Sequence, residues 1–325
     1  MFPFSFQTAR SEQEAIAGAA AGGRFVAGGT TLIDLMREEV ERPQKLIDIN
    51  RLPLRDIRWK GDTLVIGALA RMSEVASHPD AARAQPLIVE ALLEGASPQI
   101  RNMASIGGNL LQRVRCPYFR SLDARCNKRV PGSGCAAIDG VNTTHAILGT
   151  SDRCVATHPS DLAVALVALG AMVRTRGPRG ERQFPVEDLY RLPGETPHLE
   201  HTLHPGELIT AVEVPSGAYA KRARYLKVRD RASYEFALVS VAAALDVDDG
   251  VIRSARVAAG GVGTKPWRMR GSEAALAGQR PDRTTWQKAA ERAIEGVKPL
   301  SGNRYKVELL RRTVIRALEM VGEAT

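Results

Sequence analysis

All four cysteines of this 325-residue chain, Cys116, Cys126, Cys135 and Cys154, fall within 39 positions. The stretch reads C-P-Y-F-R-S-L-D-A-R-C-N-K-R-V-P-G-S-G-C, and Cys154 follows in S-D-R-C-V-A-T-H-P-S-D. Pro117, Pro131, Gly132 and Gly134 interrupt any apolar periodicity. A loop of this length holds a shape poorly without a cross-link. The spacings of nine, eight and eighteen residues contain no C-x-x-C, which disfavours thioredoxin-type chemistry and common zinc ribbons. Four chemistries stay open: buried structural thiols, two disulfides in an oxidising compartment, a zinc ion, or an iron–sulfur cluster held by four thiolates. Arg115, Arg125, Lys128 and Arg129 supply positive charge that would offset a tetrathiolate cluster.

Two glycine pairs give a second constraint. Ser11-Glu12-Gln13-Glu14 reads as a capping box that opens a helix ending at Gly22-Gly23. A short strand, Arg24-Phe25-Val26, then meets the turn Ala27-Gly28-Gly29-Thr30. A helix over 31–40 carries Leu32, Leu35 and Met36 on one face, and a strand over 45–49 follows. A glycine pair between strand and helix lets backbone approach a ligand and aims free N–H groups at an anion. The pattern is not G-x-G-x-x-G, so a Rossmann dinucleotide site is not supported. A second pair, Gly107-Gly108-Asn109, follows Ser105. Two hydroxyl-flanked Gly-Gly turns suit a shared diphosphate.

The remaining elements read as α+β. A strand over 63–67, a short helix with Ser73 as its candidate cap and an apolar helix over 87–93 precede the second turn. Ser160-Asp161 starts an apolar helix over 162–169, closed by Gly170. Asp161 there either complements the helix dipole or holds a ligand hydroxyl. His198, His201 and His204 are spaced as on one helix face, but Pro197 and Pro205 bracket them and argue against a metal site. A strand over 208–214 leads to a boundary at Ser216-Gly217. Beyond it lie strands over 223–228, 236–247 and 251–259, with a hairpin at Asp248-Asp249-Gly250. Helices over 272–277, 284–297 and 305–321 follow, giving an antiparallel sheet backed by helices.

Composition is that of a globular protein, with 44% hydrophobic and 25% charged residues. No run approaches the roughly 18 apolar residues of a membrane span. Net charge is +9, with one dense basic run from Lys221 to Arg231. No nucleic-acid motif accompanies it, so the run reads as a solvated strand face and a docking surface for an acidic partner. The N-terminus shows no signal peptide.

The segments Phe25-Val26-Ala27-Gly28-Gly29-Thr30-Thr31-Leu32-Ile33, Ser105-Ile106-Gly107-Gly108-Asn109 and His158-Pro159-Ser160-Asp161-Leu162 resemble the FAD-binding subunit of the xanthine dehydrogenase and carbon monoxide dehydrogenase family. The likeness covers essentially the whole chain. The four-cysteine loop resembles more narrowly the FAD subunit of bacterial three-subunit molybdenum aldehyde oxidoreductases of the periplasmic type. The resemblance implies a two-lobed, vanillyl-alcohol-oxidase-like FAD-binding domain over residues 1–216, with lobes of about 1–55 and 56–216 and the loop over 113–157. A C-terminal α+β domain of the carbon monoxide dehydrogenase flavoprotein type would occupy residues 217–325.

The same resemblance implies that FAD is held by Phe25 to Ile33, by Ser105, Gly107, Gly108 and Asn109, and by Asp161, Ile209 and Lys227. It implies a 4Fe–4S cluster on Cys116, Cys126, Cys135 and Cys154, acting either as a relay or as a brace. No substrate-oxidising residue is expected in this chain. A large partner subunit would carry the molybdenum cofactor and oxidise an aldehyde to the acid. A small partner would carry two 2Fe–2S clusters and pass electrons to the FAD here and on to an external acceptor. No NAD-binding glycine motif is visible. Export would then depend on a partner's signal, giving a periplasmic protein, and otherwise the chain is cytoplasmic. The alternatives are a flavin subunit of a 4-hydroxybenzoyl-CoA-reductase-like or xanthine-dehydrogenase-like complex. From another class, they are a zinc-braced scaffold or a nucleic-acid-binding protein.

Overall fold

The computed structural model of the protein describes residues 1–217, 219 and 222–323; Lys221 of the basic run lies outside them. Three sheets organise the described chain. The first is parallel, in the order β1 (Ser5–Thr8), β3 (Lys45–Asp48), β2 (Arg24–Val26). Parallel neighbours need crossovers, and helices Glu12–Ala20 and Leu32–Arg37 supply them. Ser11 caps the first, accepting from the Glu14 N–H at 3.1 Å. The Glu14 carboxylate reaches back to the Arg10 N–H at 2.9 Å, one residue earlier than in a standard capping box.

The second sheet is antiparallel: β4 (Ile57–Lys60), β5 (Thr63–Gly67), β8 (Leu208–Pro215), β6 (Met172–Gly177), β7 (Gly180–Pro185). The short helix after β5 spans Met72–Ser77, so Ser73 lies inside it and not at its cap. The third sheet is antiparallel: β12 (Trp267–Arg268), β11 (Val251–Gly260), β10 (Val239–Asp248), β9 (Ala223–Val228). Helices Arg270–Leu276, Arg283–Ala293 and Tyr305–Gly322 pack on it around Val241, Val257, Trp286 and Leu310, all buried.

Helix Asp161–Leu169 is the shared centre. Every one of its nine residues is buried, as expected of a helix apolar on all sides. It packs against helix Pro86–Glu94 of the N-terminal part and against β10 and β11 of the C-terminal sheet. Ser160 caps it, accepting from the Ala163 N–H at 3.0 Å. The Ser160 hydroxyl in turn donates to Asn109 Oδ1 at 2.6 Å, fixing the helix to the second glycine pair.

The basic run is not the free docking face that its sequence suggests. Lys227 Nζ sits 2.8 Å from Asp161 Oδ2 and 2.9 Å from the Glu94 carbonyl. Arg229 pairs with Glu94 at 2.7 Å, and Arg224 approaches Glu90 at 3.6 Å. The Tyr225 hydroxyl donates to Asp161 Oδ1 at 2.7 Å. Lys227, Arg229 and Arg224 thus turn their charge onto helix Pro86–Glu94 and the first residue of the central helix, while Arg231 stays at the surface beside Glu235.

The Lys227–Asp161 pair is nearly dry, with 1% and 9% of the two side chains exposed. Burial pushes the Asp161 carboxyl up, and Lys227 and Tyr225 act against that shift. Removing one partner of such a pair strands a buried charge, at a cost of about 3–5 kcal/mol. Lys227→Met should therefore destabilise the chain by that much in urea unfolding. The double variant Asp161→Asn, Lys227→Met should recover most of the loss. A double variant no more stable than the single one would contradict a direct ion pair.

Candidate functional site

A cleft of about 670 Å³ opens between the first sheet, the second glycine pair and the irregular chain that precedes β8. Phe25, Val26, Ala27, Gly28, Gly29, Thr30, Thr31 and Leu32 line one wall. Ser105, Gly107, Gly108 and Ile209 line another. Ile33, Asn109, Asp161 and Lys227 are not among the lining residues. Ile33 packs beside Val26, Met36 and Leu46. Asn109 is taken up by Ser160, while Asp161 and Lys227 are taken up by each other. The physical reason is the same in both cases: a polar group shielded from water bonds to its nearest protein partner.

The two glycine pairs do different work. At the first, the backbone N–H groups of Gly28, Gly29, Thr30 and Thr31 donate to no acceptor among the described residues. Gly29 takes φ +71°, a conformation that glycine adopts without a Cβ penalty. Gly28 has a structural reason as well, since a Cβ there would stand 2.0 Å from the Met103 carbonyl oxygen. The first pair is thereby pressed against the end of helix Pro98–Met103. Arg71 closes the same junction, donating to Asn50 Oδ1 at 2.8 Å and to the Met103 carbonyl at 2.5 Å, while Asn50 donates to the Ala27 carbonyl at 3.0 Å.

The second pair is not a turn with free donors. It is the start of helix Ile106–Leu110, capped by Ser105. The Ile106 N–H bonds to the Ala70 carbonyl at 3.0 Å and the Gly107 N–H to the Ala68 carbonyl at 2.8 Å. The Gly108 N–H bonds to the Ser105 hydroxyl at 3.2 Å. Gly107 is there for closeness, since a Cβ would stand 3.1 Å from the Ala68 side chain. This wall offers a ligand shape, and the first pair offers donors.

The third wall was not legible in the sequence. The segment holding His198, His201 and His204 is irregular and not a helix, and all three histidines line the cleft. Glu200 from this segment meets Lys128 at 3.0 Å and also bonds Arg113, which in turn bonds Glu41. Burial would raise the Glu200 pKa, but Lys128 and Arg113 hold it below the usual carboxylate value. Lys128 Nζ also donates to the Pro197 carbonyl at 2.8 Å. His158 stands edge-on to Tyr190 at 4.5 Å, and burial pushes its pKa down to about 3. It is therefore neutral near pH 7, with a buried Nε2 that has no partner among the described residues.

The cysteine loop abuts this cleft. Cys116, Cys126, Cys135 and Cys154 are all free thiols and border one small cavity. Val114, Lys128, Cys154 and Ala156 line both the cavity and the cleft, so the two spaces share a wall. Among the described residues, no group of three or more His, Cys, Asp or Glu side chains is placed to hold a metal ion. The disulfide alternative finds no bonded pair here.

The loop is better held than its composition suggests. Arg129 donates to the carbonyls of Tyr118, Phe119, Leu122 and Ala124. The Asn127 side chain accepts from the Gly134 N–H at 2.9 Å and donates to the Arg153 carbonyl at 3.0 Å. Two of the charges expected to face a cluster are spent on carboxylates, Arg115 on Asp34 at 3.2 Å and Lys128 on Glu200. Arg129 is spent on main chain, leaving Arg125 on the cavity wall; Arg153, also on that wall, pairs with Glu195 at 3.0 Å. His145 was missed in the sequence. It is buried, and its Nε2 lies 3.2 Å from Cys116 Sγ.

Comparison with known proteins agrees with this architecture. The family model for the FAD binding domain in molybdopterin dehydrogenase matches residues 2–217. The model for the CO dehydrogenase flavoprotein C-terminal domain matches residues 224–321. The aldehyde oxidoreductase FAD-binding subunit PaoB of Escherichia coli is 45% identical over 98% of each chain. The glyceraldehyde dehydrogenase medium chain of Sulfolobus acidocaldarius is 28% identical over 98% of each. A solved carbon monoxide dehydrogenase from Hydrogenophaga pseudoflava superposes with a TM-score of 0.78 at 26% identity, covering 99% of this chain and 98% of that one. The chain belongs to the FAD-binding medium-subunit family of the xanthine and carbon monoxide dehydrogenases, and it is an FAD-binding oxidoreductase subunit.

Proposed function

We propose that this chain is the electron-transfer subunit of a heterotrimeric molybdenum hydroxylase that oxidises aldehydes to carboxylic acids, carrying both FAD and a 4Fe–4S cluster. The observation that carries the reading is the shared wall between the FAD-sized cleft and the four-thiol cavity. The 45% identity to an aldehyde oxidoreductase subunit supports the substrate class. The partners in this reading are a large subunit with the molybdenum cofactor and a small subunit with 2Fe–2S clusters. An external acceptor takes the electrons.

FAD supplies two-electron to one-electron exchange when bound. The unbonded N–H groups of Gly28 to Thr31 would hold its diphosphate, as donors free of internal partners do for anions. Ser105, Gly107, Gly108 and Ile209 would shape the opposite wall. Asp161 and Lys227 would act at one remove, by fixing the central helix. For the cluster, the donor count fits: the four free thiols line one small cavity with none left over, and a 4Fe–4S cubane takes four. Pre-ordering by Arg129 and Asn127 would keep the sulfurs in place.

Two outcomes test the reading. The purified chain should contain one flavin, about four irons and acid-labile sulfide; one zinc without sulfide, or no metal, would contradict the cluster. Adding FAD to the flavin-stripped chain should slow amide hydrogen exchange at Gly28–Thr31. It should leave Ile106–Asn109, whose N–H groups are already bonded, nearly unchanged. Equal protection at both glycine pairs would overturn the division of labour.

A further inference from the structure

We propose that His145 donates a hydrogen bond from Nε2 to the Cys116 sulfur and thereby raises the reduction potential of the cluster held by the four cysteines. The inference rests on the cluster reading above and assigns a role to a residue outside the thiol set. His145 Nε2 lies 3.2 Å from Cys116 Sγ, within reach of an N–H···S bond. The side chain is buried, with 3% of the residue exposed, so water does not compete for the ring. A cluster-bound thiolate has no proton to give, so the ring must carry its proton on Nε2. The other nitrogen agrees, because buried Nδ1 has no partner among the described residues that would compete for the proton.

The backbone that carries the ring is held in place by the C-terminal part of the chain. Asn303 Nδ2 donates to the His145 carbonyl at 3.2 Å and to the Ala146 carbonyl at 3.3 Å. Lys306 Nζ donates to the Thr144 carbonyl at 2.8 Å, and Tyr305 Oη to the Thr143 carbonyl at 3.1 Å. The Gly302 N–H bonds Asn142 Oδ1 at 2.8 Å, and the His145 N–H bonds the Asn142 carbonyl at 3.1 Å. Residues 142–146 are thus bonded at nearly every position to the chain from Gly302 to Lys306. A histidine so fixed is a positioning and tuning residue, and its donor stabilises the more negative, reduced cluster.

The test uses the full chain as purified, with its co-purifying partners. Iron and sulfide per chain come first: their absence from the unmodified protein would sink the cluster reading itself and this inference with it. With the cluster present, an EPR-monitored redox titration of His145→Leu should show a roughly tenfold shift toward the oxidised form at fixed potential, about 59 mV for a one-electron couple. His145→Gln, which keeps an N–H donor, should recover most of it. An unchanged potential in a fully loaded His145→Leu variant would overturn the inference. If that variant loses its cluster, pulsed EPR of the reduced unmodified protein with nitrogen-isotope-labelled histidine decides. A weak histidine nitrogen coupling is expected, and its absence would overturn the proposal.

Discussion

The dry ion pair between Lys227 and Asp161 is the contact on which the rest of the molecule depends. It lies at the first residue of a helix buried on every side, and it joins β9 of the C-terminal sheet to that helix. One core cluster runs through this junction, taking Leu162, Leu166 and Ile88 from the N-terminal part and Tyr225, Ala242 and Ala258 from the C-terminal sheet. A buried charge pair is weak evidence for added stability against an apolar alternative. What it does here is geometric. Only one register of β9 against helix Pro86–Glu94 brings Lys227 to Asp161 while Tyr225 reaches the same carboxylate and Glu90. That register also fixes Ser160, and through Asn109 the second glycine pair that walls the cleft.

The same fixing extends to the cysteine loop by another route. Its outer turns hang on Arg129 and Asn127, and its far end is bonded to the chain from Gly302 to Lys306. Its near side is tied to the cleft wall through Lys128, Glu200 and Arg113. The loop is therefore no appendage. Cys154 stands between the cleft and the thiol cavity because Lys128, Val114 and Ala156 hold both sides of one partition.

Local patterns in the sequence carried much of this. The strand, Gly-Gly, helix, strand unit was readable because glycine and apolar periodicity mark it within thirty residues, though helix Leu32–Arg37 is shorter than its pattern suggests. The clustering of four cysteines was readable by count alone. What distance creates was not. The two Gly-Gly pairs look alike, and the second has spent its donors partly on its own Ser105 cap and partly on the carbonyls of Ala68 and Ala70, far back in the chain. The basic run reads as a free surface because Glu90, Glu94 and Asp161 lie 66 to 135 positions away. The hairpin of β6 and β7 went unread despite the alternation at Val173 and Thr175, both buried. His145 lies 29 positions from Cys116 with no periodic signal linking them.

The central claim is that one chain holds flavin and cluster on either side of the Cys154 partition. The most direct measurement is anomalous diffraction at the iron edge from crystals of the purified chain. The account predicts a single anomalous peak enclosed by Cys116, Cys126, Cys135 and Cys154, with flavin density in the cleft across Cys154. Thiols joined as disulfides, or a cleft that binds FAD beside a cavity with no anomalous scatterer, would contradict it.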